Sequence, residues 1–287
     1  MRIATLKQQG RQVAAIHTPN GYVSLPRISA TCNIPLPTDL RILLQTGLFD
    51  LLKAWYDREG KSAIATLPTE PNPAFAPLFC YPERIWGIGL NYVAHAQDLS
   101  EKVPDKYPGS FIKSSTTVIG PGDTIDIPKL SDRTTAEAEL GVIIGKTCKD
   151  VPKDNWLGVV AGFTTIIDMT AEDILRLNPR YLTLCKNFDT FFSFGPELVT
   201  PDEIPDVMAL NVSTVINNRV HATNIVSNMT FPPDHLVSFH SQVMTMHPGD
   251  VISTGTPGAV PISHGDVVAC HIDGFESLVN PVRDLKG

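Results

Sequence analysis

The sequence predicts a mainly β protein of the α+β class, with a small N-terminal α+β domain ahead of a larger β-rich one. Three observations carry that expectation. Beyond residue 84 the chain is a series of short apolar, β-branched runs: IWGIGLNY, TTVIGPGDTIDIP, AELGVIIG, VVAGFTTIID, LNVSTVINN and GDVISTGTPG. Turns bearing Gly and Pro separate them, with PGD at 121–123 and 248–250 and HGD at 264–266. Helical periodicity is confined to a few stretches, the longest of them before residue 61.

The elements follow in order. Residues 1–25 alternate weakly and carry the turn signal Asn20-Gly21, which predicts a short hairpin. Leu40 to Gly60 (LRILLQTGLFDLLKAWYDREG) has a helical apolar period and predicts a helix interrupted by Gly47 and stopped at Gly60. Five prolines from Pro68 to Pro82 disfavour helix and inner strands. Residues 68–83 are therefore expected to be an extended linker between a domain at 1–67 and one at 84–287. Within the second domain a helix is expected after Thr170, where Thr170 and Asp173 have capping-box spacing, and another in DHLVSFHSQVMT.

Composition narrows the function classes. The chain of 287 residues carries 23 Lys plus Arg against 30 Asp plus Glu, a net charge of −7, with no basic cluster. That argues against a nucleic-acid partner. The five cysteines are odd in number and lack CxxC or Cys/His spacing, which argues against a disulfide framework or a zinc site. The start has no unbroken apolar region, and no apolar stretch of about 18 residues follows, so the expectation is a cytoplasmic protein with no membrane partner.

The chemistry gathers around acids. Glu137 and Glu139 stand two apart at the mouth of the apolar run AELGVIIG. On a strand, side chains at i and i+2 share a face, so the two carboxylates project side by side. Asp168 ends another apolar run, GFTTIID, at a strand-to-helix junction. Three acids on strands, with no equally placed Lys or Arg, suit a hard divalent cation such as Mg²⁺, Mn²⁺ or Ca²⁺. A wet strand edge for the glutamates, and a turn-bonding role for Asp168, fit the spacing too.

Six further segments occur in a specific order: GIGLNYVAHAQD, FIKSSTTVIGPGDTIDIP, EAELGVIIGK, AGFTTIIDMTAED, KNFDTFFSFGPELVT and HPGDVISTGTPG, followed by HGDVVACHIDGFESLVNPV. Together, from about Arg84 to Asn280, they resemble the fumarylacetoacetate hydrolase superfamily, in the branch with a short N-terminal domain. The resemblance implies a mixed β-roll catalytic core, a divalent metal, usually Mg²⁺, and a homodimer. It implies Glu137, Glu139 and Asp168 as metal ligands and His95 as general base, with Asp98 where the family commonly has glutamate. Lys186 matches the lysine that supports a substrate oxyanion or enolate, and Thr256 a residue that holds a substrate carboxylate or carbonyl.

Family activities include C–C hydrolysis of acylpyruvates or 1,3-diketones, decarboxylation of β-keto acids, and tautomerisation of enols. In each, a small keto or dicarbonyl substrate passes through an enolate. Three departures stand out. Glu172 and Leu175 occupy positions where the family commonly has a substrate-contacting arginine and glutamine, and Thr135 replaces an aspartate. The expectation is therefore C–C hydrolysis of an atypical, less anionic substrate. Decarboxylation or isomerisation on the same site, and a non-catalytic binding role, are the alternatives.

Overall fold

A computed structural model describes residues 1–93 and 104–287. The chain opens with an antiparallel meander of β1 (Arg2–Gln8), β2 (Arg11–Thr18) and β3 (Gly21–Ser24). Gln9 and Gly10, with φ of 49° and 75°, make the first turn, a geometry that matches the strand twist. Thr18 pairs with Gly21, so the second turn falls on Pro19-Asn20, one residue before the expected position. A helix that sequence periodicity did not reveal, Leu25–Cys32, follows with proline in its first turn.

The next helical stretch divides as expected at Gly47, whose φ is 73°. Segments Leu40–Gln45 and Leu48–Trp55 lie on either side of it. Gly60 does not stop the stretch: it keeps a helical φ of −62°, and Lys61–Ile64 continues beyond it. A Cβ at Gly60 would stand 2.6 Å from the Trp55 ring, so this glycine makes room for an indole. Within residues 68–83 the chain bridges to β3 at Glu70 and runs beside β1 at 74–76, where the Lys7 N–H donates to Ala74 O (2.7 Å) and the Ala76 N–H to Thr5 O (2.8 Å).

The remaining strands begin with β4 (Ile85–Gly89), β5 (Gly109–Lys113), β6 (Val118–Ile119), β7 (Ile125–Ile127), β8 (Thr134–Ile144) and β9 (Val160–Ala171). Next come β10 (Phe192–Phe194), β11 (Glu197–Val199), β12 (Asn211–Ile216) and β13 (Arg219–Ile225). The last are β14 (Val251–Ser253), β15 (Val260–Pro261), β16 (Val267–Ile272) and β17 (Leu278–Asp284). Twelve form one mixed sheet along the path β3-β2-β1-β11-β9-β8-β14-β4-β5, with β10 joining β9 to β6 and β15 on β8. The other five form a second sheet, β13-β12-β16-β17-β7. The mainly β, α+β fold class is thus as expected, and the N-terminal strands extend the large sheet through the β1–β11 pairing.

Every residue of β8 is buried, the mark of a strand covered on both faces. Ala136, Ala138, Leu140, Val142 and Ile144 pack with Val212, Ile216 and Cys270 between the two sheets. Ile143 joins a second core with Ile85, Ile166, Phe194 and Val251, closed by Leu43 and Leu52 of the N-terminal helices. The odd-numbered residues of β8 therefore face the second core.

The large sheet curls almost shut. Three strands separate β9 from β5 along the path, which in a flat sheet would leave about 19 Å between them. Yet Lys113 Nζ on β5 lies 2.7 Å from Asp168 Oδ1 on β9. The pairing of β10 with both β6 and β9 completes most of the ring. No helix among the described residues is long and apolar enough to cross a membrane.

Candidate metal centre

The curled sheet gathers the three acids on its inner face. Glu137 and Glu139 share a face as residues i and i+2, and Glu137 sits directly opposite Asp168 in the β8–β9 ladder. All three are buried, and each offers an oxygen within 4.8 Å of the others. The wet-edge reading is therefore excluded. Asp168 does not end its strand either, because β9 continues to Ala171. The capping box does not form: the helix Glu172–Leu177 has no side-chain cap. Thr170 Oγ1 instead donates to Glu137 Oε1 (2.5 Å), and Asp173 accepts from Ser131 Oγ and the Asp132 N–H (2.8 Å each).

Neighbouring strands hold each carboxylate. Glu139 Oε2 accepts from Ser253 Oγ (2.5 Å) and from the Gly255 N–H (2.8 Å). Gly255 has φ 96°, and a Cβ there would meet Asn91 Cβ at 2.8 Å, so the turn that presents this amide requires glycine. Lys186 Nζ donates to Glu137 Oε2 (2.8 Å) and to Asp168 Oδ2 (2.7 Å). Lys113, fully buried, donates to the Lys186 carbonyl and stands beside Asp168 Oδ1.

The expectation of acids without an equally placed cation thus needs correction. Lys186 was legible only through the family resemblance, and Lys113 was missed altogether. Its signal was the alternation Phe111-x-Lys113, which on a strand points both side chains the same way. Which way is decided by the curl of the sheet, not by local sequence.

With every group ionised, three carboxylates against two ammoniums would carry one negative charge in excess, a state that burial opposes. Burial, followed by the charges of Asp168 and Glu137, pushes the Glu139 carboxyl up to about 8. Burial works against the Lys186 ammonium too, but Asp168, Glu137 and Glu139 outweigh it and hold its pKa above the usual lysine range. At Lys113 burial prevails over Asp168, and the pKa falls. Asp168 is held below the usual range because its two lysines overcome its burial.

The residues fit a divalent cation. Their donors are all oxygens, three carboxylates gathered within 4.8 Å of one another on one buried face. Two surface grooves of about 560 and 550 Å³ lie elsewhere, along the proline-rich strap and the β2–β3 turn, and neither is lined by these acids.

The other expected site residues distribute as follows. Thr256 is buried one residue from the Gly255 amide and closes its own turn, donating to Gly258 O (3.1 Å). Glu172 stands away from the carboxylate cluster. Its Oε2 accepts from Arg133 Nε (2.5 Å), and its Oε1 accepts from Arg176 Nε and Nη2 (2.9 and 2.5 Å). Leu175 packs at the margin of the core between the sheets. Thr135, in place of an acid, has its hydroxyl 3.4 Å from Glu137 Oε1. His95 and Asp98 lie outside the described residues.

Comparison with known proteins gives the family of the chain. The family Fumarylacetoacetate (FAA) hydrolase C-terminal matches residues 84–283. A mitochondrial oxaloacetate tautomerase of Homo sapiens is 34% identical over 256 residues, covering 86% of this chain and 80% of that protein. The crystal structure of a 5-carboxymethyl-2-hydroxymuconate delta-isomerase from Mycobacterium smegmatis superposes with a TM-score of 0.76 at 27% identity, covering the whole of both chains. The maleylpyruvate hydrolase of Sphingobium sp. SYK-6, solved with manganese(II) and pyruvate, shares the fold with a TM-score of 0.81 at 24% identity over 99% of each chain. A buried acidic trio on a curled mixed sheet and a family match over some two hundred residues lead to one assignment: the chain belongs to the fumarylacetoacetate hydrolase family.

Proposed function

We propose that the protein is a divalent-metal-dependent enzyme that converts a small 2-oxo acid or 1,3-dicarbonyl compound through an enolate, with keto–enol tautomerisation as its reaction. The observation that carries this reading is the Lys186 ammonium, fixed between Glu137 and Asp168 inside a buried acidic trio. Glu137, Glu139 and Asp168 would hold Mg²⁺, with Mn²⁺ or Ca²⁺ as substitutes. Bound there, such an ion supplies Lewis acidity to the oxygens of a chelating substrate.

The chain's own groups do the rest. Lys186 keeps one ammonium hydrogen beyond its two carboxylate bonds and can offer it to the oxygen that gains charge as a C–H bond breaks. Ser253 and Gly255 orient Glu139, and Lys113 does the same for Asp168. His95 is proposed as the group that takes the proton from carbon, with Asp98 orienting it. The proton returns on oxygen, so the tautomerisation needs no water.

The human relative, an oxaloacetate tautomerase similar over most of the chain, supports this choice among enolate reactions. C–C hydrolysis is the second reading. It is supported by the fold shared with the maleylpyruvate hydrolase, and it would need His95 to activate a water. The charge argument for a less anionic substrate falls away, because Arg133 and Arg176 already neutralise Glu172. Acidic substrates therefore belong in the test. Enol absorbance of oxaloacetate, and product NMR with acylpyruvates and neutral 1,3-diketones, would be followed with Mg²⁺ and with chelator. Metal-dependent enol decay, lost in Lys186→Met, is expected; turnover indifferent to chelator would overturn the reading.

A further inference from the structure

We infer that Phe111 is a positioning residue for Lys186, and that Gly87 provides the space that lets it be one. The inference rests on the reading of Lys186 as the cation that stabilises the enolate. Phe111 and Lys113 stand two apart on β5, so both side chains project from one face toward the acids. The Lys186 ammonium lies 5.0 Å from the centroid of the Phe111 ring, within the range of about 6 Å over which a ring face attracts a cation. Glu137, Asp168 and the ring thus share this ammonium.

The position of the ring is itself determined. Phe111 is the cross-strand partner of Gly87 on β4, whose other neighbour is Ser253, the residue that bonds Glu139. A Cβ at Gly87 would stand 2.3 Å from Phe111 Cε2 and Cζ. The ring therefore occupies the space that any side chain at 87 would need. Nor does Phe111 serve as filling: it is half-buried and belongs to none of the apolar clusters among the described residues. An aromatic face held against a glycine, beside a buried ammonium, fixes where that ammonium points.

The test uses the full chain loaded with Mn²⁺. Phe111→Leu, which keeps apolar bulk and removes the ring face, should lower kcat about tenfold with KM changed less than about twofold. Mn²⁺ affinity should be unchanged, and Phe111→Tyr should restore kcat. Gly87→Ala should reproduce the loss, and the Gly87→Ala/Phe111→Leu double variant should be no slower than Phe111→Leu alone. Wild-type kcat in Phe111→Leu, or additive losses in the double variant, would overturn the inference.

A second readout does not depend on turnover. In metal-free protein labelled with ¹³C at the lysine ε-carbon, the Lys186 signal, assigned by its absence in Lys186→Met, should be displaced upfield by the ring. It should return toward the ordinary lysine position in Phe111→Leu and in Gly87→Ala. A Lys186 signal unmoved by either change would overturn the inference even if no substrate is turned over. A moved signal in a protein without enolate chemistry would uphold the positioning and place the failure in the functional reading.

Discussion

Asp168→Asn removes one charge and almost no volume from the middle of the carboxylate–lysine cluster. In the native protein Lys113 Nζ and Lys186 Nζ each stand 2.7 Å from an Asp168 oxygen. At an effective dielectric of about 20, each pair is worth about 6 kcal/mol of gross attraction, before the cost of keeping both groups out of water. Breaking a buried pair by removing one partner costs about 3–5 kcal/mol net. For a chain of this size that lowers Tm by roughly 6–10 °C, measured in chelator so that metal binding does not contribute.

Lys113 limits the loss. Burial already holds its pKa below the ordinary 10.5, so between the folded value and 10.5 the unfolded chain binds more protons and stability rises with pH. Without Asp168 that depression deepens. The Tm deficit should therefore narrow as pH is raised toward 10.5, as Lys113 gives up its proton. Differential scanning calorimetry across that range, together with calorimetric Mn²⁺ titration, measures both effects. A Tm within about 2 °C of wild type at pH 7 would refute the charge pairing, and an unchanged Mn²⁺ affinity would refute Asp168 as a ligand.

Three further outcomes are expected. Lys186→Met should cut kcat by about 10²–10³, the loss typical of a removed oxyanion donor. It should also tighten Mn²⁺ binding, because a competing ammonium leaves Glu137 and Asp168; weaker binding would contradict the arrangement. Gly255→Ala places a Cβ 2.8 Å from Asn91 Cβ at a φ of 96° and should cost about 1–3 kcal/mol in urea unfolding, with Glu139 losing its amide donor. Glu172→Arg would assemble three arginines where one carboxylate now joins two. It should destabilise the protein by about 2 kcal/mol, a modest figure because Arg133 and Arg176 are solvent-exposed, and a gain in acylpyruvate turnover would show instead that position 172 faces the substrate.

What the sequence disclosed and what it hid divide along physical lines. The period-2 geometry of strands placed Glu137 and Glu139 on one face, and the cross-strand register then set Asp168 opposite Glu137. Both effects are local or nearly so. Lys113 was hidden because its approach to Asp168 depends on the large sheet curling back on itself. Gly60 was misread as a helix stop because glycine has two uses, and here the Trp55 ring needed the space. The Thr170–Asp173 spacing was a true match to a capping pattern, but tertiary partners claimed both side chains: Glu137 for Thr170, and Ser131 with Asp132 for Asp173. Glu172 has the sequence position of a substrate-side charge, but its carboxylate is taken up by Arg133 and Arg176, partners that only the fold brings to it.

The near-closure of the sheet has a consequence for how the protein should fail on heating. The bond from Lys113 to the Lys186 carbonyl joins residues 73 apart in sequence, and one of them stands on the terminal strand of the sheet path. Among the described residues β5 has a pairing neighbour on one side only, so it can detach at lower free-energy cost than the strands behind it. Its detachment would leave both apolar cores intact while withdrawing Lys113 and Phe111 together. Inactivation would then precede denaturation: catalysis would fade reversibly below the calorimetric transition and return on cooling, as long as the core had not opened.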